Sequence, residues 1–238
     1  MNQLISVLES YTDGFRTLIN DKISSSNQDV KSILNLDTPE DWGFLCASMD
    51  IIEDASLAID NFRKYGLGGP TKYEDYGEKY LRLYGLLNAC YLQQGAIQKL
   101  CKIFSIKTDQ IYTLEIRKLR NKLGAHSTDF DNQSSKTKEA YSPIRVSLAG
   151  FSCEYINKVT LQSGGTDLRD SLKQHLNLII NSLDKIFEKA VSLFYEGDKS
   201  KGEILEELRI QKNGGFVLTI PESDTKICIT CYSQTSNQ

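Results

Sequence analysis

Apolar residues recur along most of the chain at the three- and four-residue spacing of amphipathic helices. The strongest start signal is Thr38, a suitable N-cap, followed by Pro39 and two acidic residues in the first turn. Only 4 prolines interrupt the pattern, which favours long elements. The spacing predicts helices over residues 4–22, 38 to about 64, 72–104, 110–124, 167–196 and 203–210.

Two of these predicted helices bear on function through their buried faces. The helix over 72–104 is expected to turn inward Tyr80, Leu83, Tyr84, Leu87, Tyr91, Ile97, Leu100 and Phe104. The next helix has apolar residues at i, i+4, i+7 and i+11, which predicts a buried stripe of Tyr112, Ile116, Leu119 and Leu123. Gly124 suits a left-handed end to that helix.

Two short stretches have the alternation typical of β-strands. Apolar residues alternate from Ile144 to Leu148 and Gly150 can turn the chain, so a hairpin is expected at about 144–161. A second hairpin is expected from strands 216–220 and 226–232. The residues between the 110–124 helix and the first hairpin are polar and predict a loop.

The predicted fold class is therefore mainly all-α, a helical bundle with two small β-hairpin decorations. One helical domain is expected over residues 1–210, with the hairpin at about 144–161 as an insertion. Residues 211–238 are expected to form a C-terminal β-hairpin and tail.

The composition is that of an ordinary soluble globular protein. Of the 238 residues, 40% are hydrophobic and 25% are charged, which argues against a disordered or fibrous chain. No apolar run approaches the roughly 20 residues of a spanning helix. The first residues have neither the basic nor the long apolar part of a signal peptide, so the expected location is the cytoplasm and no membrane contact is expected.

Charge is unevenly distributed along the chain. The 28 Lys and Arg against 31 Asp and Glu give a net charge of −3, which is unlike a dedicated nucleic-acid binder. Between Lys99 and His126, however, seven residues are basic and two are acidic, whereas residues 40–60 include six acidic residues and no basic one. The basic stretch is either a strip that attracts a polyanion or an ordinary solvated helix face.

Most familiar chemical motifs are missing from the sequence. Cys228 and Cys231 form a Cys-x-x-Cys pair, but no second pair of zinc ligands has suitable spacing. The glycine pairs match neither a phosphate-binding loop nor a dinucleotide fingerprint, and no serine or cysteine has the context of a hydrolase nucleophile. We therefore expect no metal and no cofactor.

Histidine offers the remaining chemistry, and the chain has only 2 histidines. His175 is expected to be a partly exposed helix residue. His126 directly follows the basic helix, in which Arg120 borders the apolar stripe and shares one side with Arg117 and Asn121. A break at Gly124 would let the imidazole fold back toward Arg120. The alternative is a helix end whose carbonyl groups attract basic side chains.

The residues Ile116-x-x-Leu119-Arg120-Asn121-x-x-Gly124-x-His126 resemble the Arg-x(4–6)-His signature of HEPN domains. The preceding helix, at residues 89–94, is similar in character to the partner helix of that bundle. The resemblance covers roughly residues 40–200. It implies an antiparallel helical bundle that forms a homodimer with the motif helices facing each other, and many members of the family are metal-independent ribonucleases that act as toxins or in antiviral defence.

This resemblance implies roles for individual residues. Arg120 would hold the scissile phosphate, His126 would move protons, and Asn121 would orient either group. The remaining basic side chains, Arg117, Lys118 and Lys122, would attract the RNA backbone. An antitoxin or a nucleotidyltransferase-type protein would be a possible partner.

Two other hypotheses remain open at the sequence level. Some HEPN proteins are non-catalytic modules that bind a nucleotide or a partner protein. A purely structural helical protein could instead use the acidic helix at 40–60 to dock a basic partner.

Overall fold

The computed structural model describes residues 1–71, 75–107, 109–125, 127–132, 137–220 and 225–229. Within these ranges the chain is mainly helical, which confirms the predicted fold class. The α-helices are α1 (Asn2–Ser24), α2 (Val30–Ile33), α3 (Glu40–Tyr65), α4 (Tyr76–Ile103), α5 (Glu115–Arg120), α6 (Leu168–Phe194) and α7 (Lys199–Lys212).

Side-chain caps explain where several helices begin. Asp75 precedes α4 and accepts a hydrogen bond from the backbone N–H of Gly77 at 2.9 Å. Asp167 precedes α6 and accepts one from the backbone N–H of Arg169 at 2.7 Å. At the start of α3, both the backbone N–H and the hydroxyl of Thr38 donate to Asp41. α7 begins at Lys199, four residues earlier than predicted, because Asp198 caps it.

The core lies between α1, α3, α4 and α6, which all contribute continuous apolar stripes. The stripe of α6 is buried along its whole length, from Leu168 to Phe194. Phe15 of α1 packs against Phe104 and Phe187 with ring centroids 5.8 and 6.2 Å apart. Burial of these stripes supplies most of the stabilisation of the bundle, at roughly 25 cal/mol per Å² of apolar surface.

The strands form three small antiparallel sheets within the described residues. β1 (Phe130–Asn132) pairs with β2 (Thr137–Glu139). The second sheet has the order β3 (Tyr141–Pro143), β4 (Ser152–Asn157) and β5 (Ser163–Asp167). The third sheet pairs β6 (Phe216–Ile220) with β7 (Thr225–Ile229).

The predicted insertion at about 144–161 has the wrong boundaries. Residues 145–147 form a 3₁₀ turn instead of a strand, and Val146 is 82% exposed. The strand that pairs with β4 lies earlier, and β5 extends the sheet to Asp167. Alternation of apolar residues was misleading here because only Leu148 of the alternating set is buried. The stretch predicted as a polar loop contains β1 and β2.

The C-terminal hairpin agrees with its predicted first strand, 216–220. Its second strand is described over Thr225–Ile229, whereas the predicted turn at 221–224 and the tail from residue 230 lie outside the described residues. The hairpin packs on α7, where Lys226 and Glu207 form an ion pair of 2.5 Å.

None of the helices in the described part of the chain is long and apolar enough to cross a membrane.

Candidate functional site

The segment predicted as one helix over 110–124 changes geometry twice. Asp109–Thr113 is a 3₁₀ turn, α5 follows after an extended Leu114, and Asn121–Ala125 is a π-helical turn. Gly124 lies inside this π turn without a positive φ, so the predicted left-handed helix end is wrong. Turns of this π type occur frequently at functional sites, where they change the direction of side chains.

The buried stripe of this segment is correct at three of its four predicted positions. Ile116, Leu119 and Leu123 are buried, but Tyr112 is 61% exposed. The 3₁₀ turn and the extended Leu114 shift the helical register ahead of α5, so Ile111 takes the buried position instead. The Tyr112 ring is therefore available on the surface.

Two arginines of α5 converge on one tyrosine of α4. The guanidinium carbon of Arg120 lies 3.8 Å from the centroid of the Tyr91 ring, and that of Arg117 lies 5.0 Å from it. Both arginines are half-buried. A cation over an aromatic ring is attracted by the negative ring face, so Tyr91 holds both positive groups in one place.

Further contacts orient each arginine separately. Arg117 donates from Nη1 to Oε1 of Gln94 at 3.1 Å, and its guanidinium carbon lies 4.8 Å from the ring centroid of Tyr112. Arg120 donates from Nη1 to Oδ1 of Asn121 at 3.4 Å. The structure thus brings together Arg117, Arg120 and Asn121, as the helical wheel predicted.

The two predicted RNA-binding lysines lie apart from this arginine pair. Lys122 donates to the hydroxyl of Tyr155 at 3.3 Å, and its ammonium lies 5.0 and 5.1 Å from the ring centroids of Tyr155 and Tyr141. Lys118 is exposed and pairs with Glu115 at 3.5 Å. The four basic side chains therefore divide into an arginine pair that packs on Tyr91 of α4, Lys122 that packs on two tyrosines of the second sheet, and exposed Lys118 that pairs with Glu115.

His126, the predicted catalytic histidine, lies outside the described residues. The structure does describe the residues before and after it, Ala125 and Ser127. Ala125 ends the π turn, and the carbonyl of Ser127 accepts a hydrogen bond from the backbone N–H of Tyr141 at 2.6 Å. The chain on either side of His126 is therefore anchored next to Lys122 and its tyrosines.

His175 is fully buried, so the prediction of a partly exposed residue is wrong. Its Nε2 lies 2.8 Å from Oε1 of Gln93, and its Nδ1 lies 3.2 Å from Nε2 of Gln94. Gln93 uses its own Nε2 to donate to Ile52 and Ser56, so its oxygen accepts from the imidazole. The ring is neutral with its proton on Nε2, and burial lowers the pKa of His175 to about 3.

This buried histidine is connected to the arginine pair. Because Gln94 donates to His175 from one end of its amide, its Oε1 faces Arg117 and accepts from it. A continuous polar chain thus runs from Ser56 on α3, through α4 and α6, to Arg117. The sequence contained a signal for it, since His175 follows Leu172 at i+3 and precedes Ile179 at i+4, on the apolar face of α6.

The cysteines described by the structure are not activated. Burial raises the pKa of Cys101 to about 11 and that of Cys153 to about 12, so both thiols stay protonated at neutral pH. Cys228 lies on β7 and Cys231 lies outside the described residues. Across the described ranges, no three His, Cys, Asp or Glu side chains gather as a metal site would require.

Comparison with known proteins gives no match of any kind: no protein-family model, no curated protein and no solved structure is detectably similar to this chain.

Proposed function

We propose that this chain is a metal-independent ribonuclease of HEPN type that acts in the cytoplasm as a toxin or defence effector. It binds RNA at the Tyr91 site, which consists of Tyr91 and the two arginines that pack on it, Arg117 and Arg120. The observation that carries the proposal is the pair of half-buried arginines on Tyr91, of which Arg120 contacts Asn121 and precedes His126 by six residues. Two guanidinium groups held side by side form a ready-made site for a phosphodiester.

The proposed chemistry uses the 2′-hydroxyl of RNA as the nucleophile. Arg120 binds the non-bridging oxygens of the scissile phosphate and stabilises the charge that develops on them. The 2′-oxygen bonds to phosphorus while its proton passes to His126, and the bond between phosphorus and the 5′-oxygen breaks as the histidine returns a proton to that departing oxygen. The products are a 2′,3′-cyclic phosphate and a 5′-hydroxyl, and no metal ion takes part.

Tyrosines beside the cations favour unpaired RNA. Exposed Tyr112 lies against Arg117, and half-buried Tyr141 and Tyr155 lie against Lys122. Aromatic rings interleaved with cations are typical of proteins that bind single strands, because bases can stack while the backbone is neutralised. A duplex would offer no free base to stack on Tyr112.

A second copy of the chain is the proposed occupant of the exposed face of α4. Leu81, Tyr84 and Leu92 are exposed along one side of this helix, and the residues between them on the same face, Gly85 and Asn88, are uncharged. Tyr84 was predicted to point inward and is instead 41% exposed. Since Tyr91 belongs to the same helix, a dimer through this face would bring two arginine pairs, and two copies of His126, toward one cleft.

The decisive experiment is RNA cleavage in EDTA by the purified wild type and by Arg120→Ala and His126→Ala variants, with end-group analysis of the products. Wild type should leave 2′,3′-cyclic phosphate ends, and each variant should be slower by about 100-fold or more. Lys189→Ala is the control, because Lys189 is a basic, exposed residue of α6 that is not among the residues proposed to bind RNA. Equal cleavage by all the proteins would refute the proposed site.

A second candidate function is a non-catalytic module that binds a nucleotide or a partner protein, such as an antitoxin or a nucleotidyltransferase-type protein. The arginine–tyrosine contacts favour this second candidate, because arginines and tyrosines can bind phosphates and bases without any participation of His126. Binding of RNA that depends on Arg120 but never leads to cleavage would support this second candidate.

A further inference from the structure

A cavity of about 300 Å³ lies between the end of α4, the turn that follows it and the middle of α6. It is distinct from the Tyr91 site, since neither Tyr91 nor the two arginines line it. The volume is at the lower end of the range for small-molecule sites, roughly 300–1,000 Å³, and suits a ligand no larger than a mononucleotide.

Backbone geometry keeps this cavity open. α4 ends at Ile103, and the backbone N–H of Ile106 donates to the carbonyl of Cys101 at 2.7 Å, which closes the helix end. Ser105 adopts a left-handed φ of 56° just after the helix end. The 3₁₀ turn Asp109–Thr113 then returns to the bundle through buried Ile111. The gap is thus built into the fold between two well-anchored elements.

One half of the cavity is apolar. The side chains of Ile106, Ile111 and Leu178 line it together with the thiol of Cys101. Both Ile111 and Cys101 are almost completely buried. An apolar wall of this kind suits the flat face of a base or the carbon side of a sugar.

The other half is polar and includes two basic side chains. Lys107 and Lys185 line it, with the hydroxyl of Ser182 and the amides Gln110 and Asn181, and none of the lining side chains that the structure describes is a carboxylate. Among the described residues neither lysine has an ion-pair partner, unlike other lysines such as Lys99, which pairs with Asp41. Two cations at the same concave site raise the local positive potential and attract an anion.

The positive charge of Lys185 acts on Cys101, another residue that lines the cavity. Burial raises the pKa of the Cys101 thiol, and the nearby ammonium of Lys185 acts in the opposite direction. Lys185 is exposed along its chain but close enough to Cys101 to affect its ionisation. Its ammonium is thus within reach of a ligand inside the cavity.

We propose that this cavity binds a small phosphorylated molecule, with its phosphate held by Lys107 and Lys185 and its apolar part against Ile106, Ile111 and Leu178. Asn181 and Gln110 supply amide groups for the hydroxyls of a sugar or the edge of a base. The inference is independent of the proposed ribonuclease activity, since it uses none of the residues of the Tyr91 site.

The test is calorimetric titration of the purified protein with inorganic phosphate, ribose 5-phosphate and AMP, beside ribose and adenosine as uncharged counterparts. At least one phosphorylated probe should bind with a stoichiometry of one per chain and at least about tenfold more tightly than its uncharged counterpart. The probe that binds best distinguishes a free phosphate, a sugar phosphate and a nucleotide as the natural type of ligand.

Variants locate the binding. Lys107→Ala and Lys185→Ala should each weaken binding about fivefold or more, and the double variant should abolish it. Lys189→Ala, one turn further along α6, is the matched control and should change nothing. Because all three lysines are exposed, the variants should keep the thermal unfolding temperature of wild type. Absence of saturable binding at millimolar concentrations overturns the proposal, and so does binding that is lost in Arg120→Ala but kept in the double lysine variant.

Discussion

Tyr91 determines the electrostatics of the candidate site at the scale of single residues. It lies under two guanidinium groups that would otherwise repel each other, with Arg120 at 3.8 Å and Arg117 at 5.0 Å from its ring centroid. Gln94 fixes Arg117 from the other side, and the amide of Gln94 is itself oriented by buried His175. The positive groups are therefore positioned before any ligand arrives, which is what electrostatic stabilisation of a phosphate requires.

Replacing Tyr91 by leucine should weaken RNA binding by about five- to thirtyfold, because two cation–π contacts of roughly 0.5–1 kcal/mol each are lost. Filter binding with a single-stranded RNA measures the change. Tyr91→Phe is the matched control and should bind nearly as wild type, since the ring remains. Wild-type affinity in the leucine variant would show that the ring does not support the arginines.

His175→Leu should destabilise the protein by about 2–4 kcal/mol at pH 7, because Gln93 and Gln94 lose their buried partners. Urea unfolding measures this difference, with Lys173→Leu on the exposed side of α6 as the control.

The same histidine predicts a pH dependence. Its folded pKa of about 3 lies below the usual value of 6.5, so the unfolded chain binds a proton that the folded protein does not. Stability contributed by neutral His175 is complete above pH 6.5 and falls as the pH drops toward 3. Between pH 7 and pH 5 the stability advantage of wild type over His175→Leu should shrink by about 2 kcal/mol. If the difference in unfolding free energy between wild type and His175→Leu stayed constant between pH 7 and pH 5, His175 would not be neutral and buried in the folded protein.

At the scale of elements, the end of α5 and the π turn after it contribute cations to two different surfaces. Arg120 ends α5 and lies on Tyr91, whereas Lys122, two residues later, contacts Tyr141 and Tyr155 of the second sheet. Side chains two residues apart on a helix project about 200° from each other, which is why the two cations face different partners. The helical wheel was correct for Arg117, Arg120 and Asn121 because these residues belong to α5 or its first following position.

The caps of the long helices give a prediction at the same scale. Asp167→Ala should lower the free energy of unfolding by about 1 kcal/mol, since the first turn of α6 loses its side-chain acceptor. Asp167→Ser retains an acceptor oxygen and should recover most of the loss. Chemical denaturation of both variants measures the difference, and an alanine variant as stable as the serine variant would show that the cap does not contribute.

At the scale of the whole molecule, polar side-chain contacts join α1, α6 and α7, whereas one face of α4 is apolar and exposed. Tyr11 of α1 and Arg209 of α7 both donate to Asp184 of α6, at 2.7 and 3.0 Å, and so join three helices. On the outer side of α4, Leu81 and Leu92 are exposed to solvent. A contiguous apolar face on one helix commonly marks an interface.

Leu92→Lys should convert the proposed dimer to a monomer, because a charge in the centre of an apolar interface is costly to bury. Light scattering coupled to gel filtration measures the mass. Leu193→Lys, which places the same charge at an exposed position of α6, is the control and should remain dimeric. A wild type that is monomeric at all concentrations would refute the dimer.

Sequence by itself determined the helical architecture, since the four long helices follow apolar periodicity and each starts near its predicted residue. It also placed Arg117, Arg120 and Asn121 together, because short-range helical geometry suffices for residues within one turn. Tertiary structure decided the rest. Tyr91 and Gln94 contact the arginines from another helix, across distances in sequence that no local pattern encodes. His175 in turn contacts Gln93 and Gln94, and its burial depends on these two glutamines.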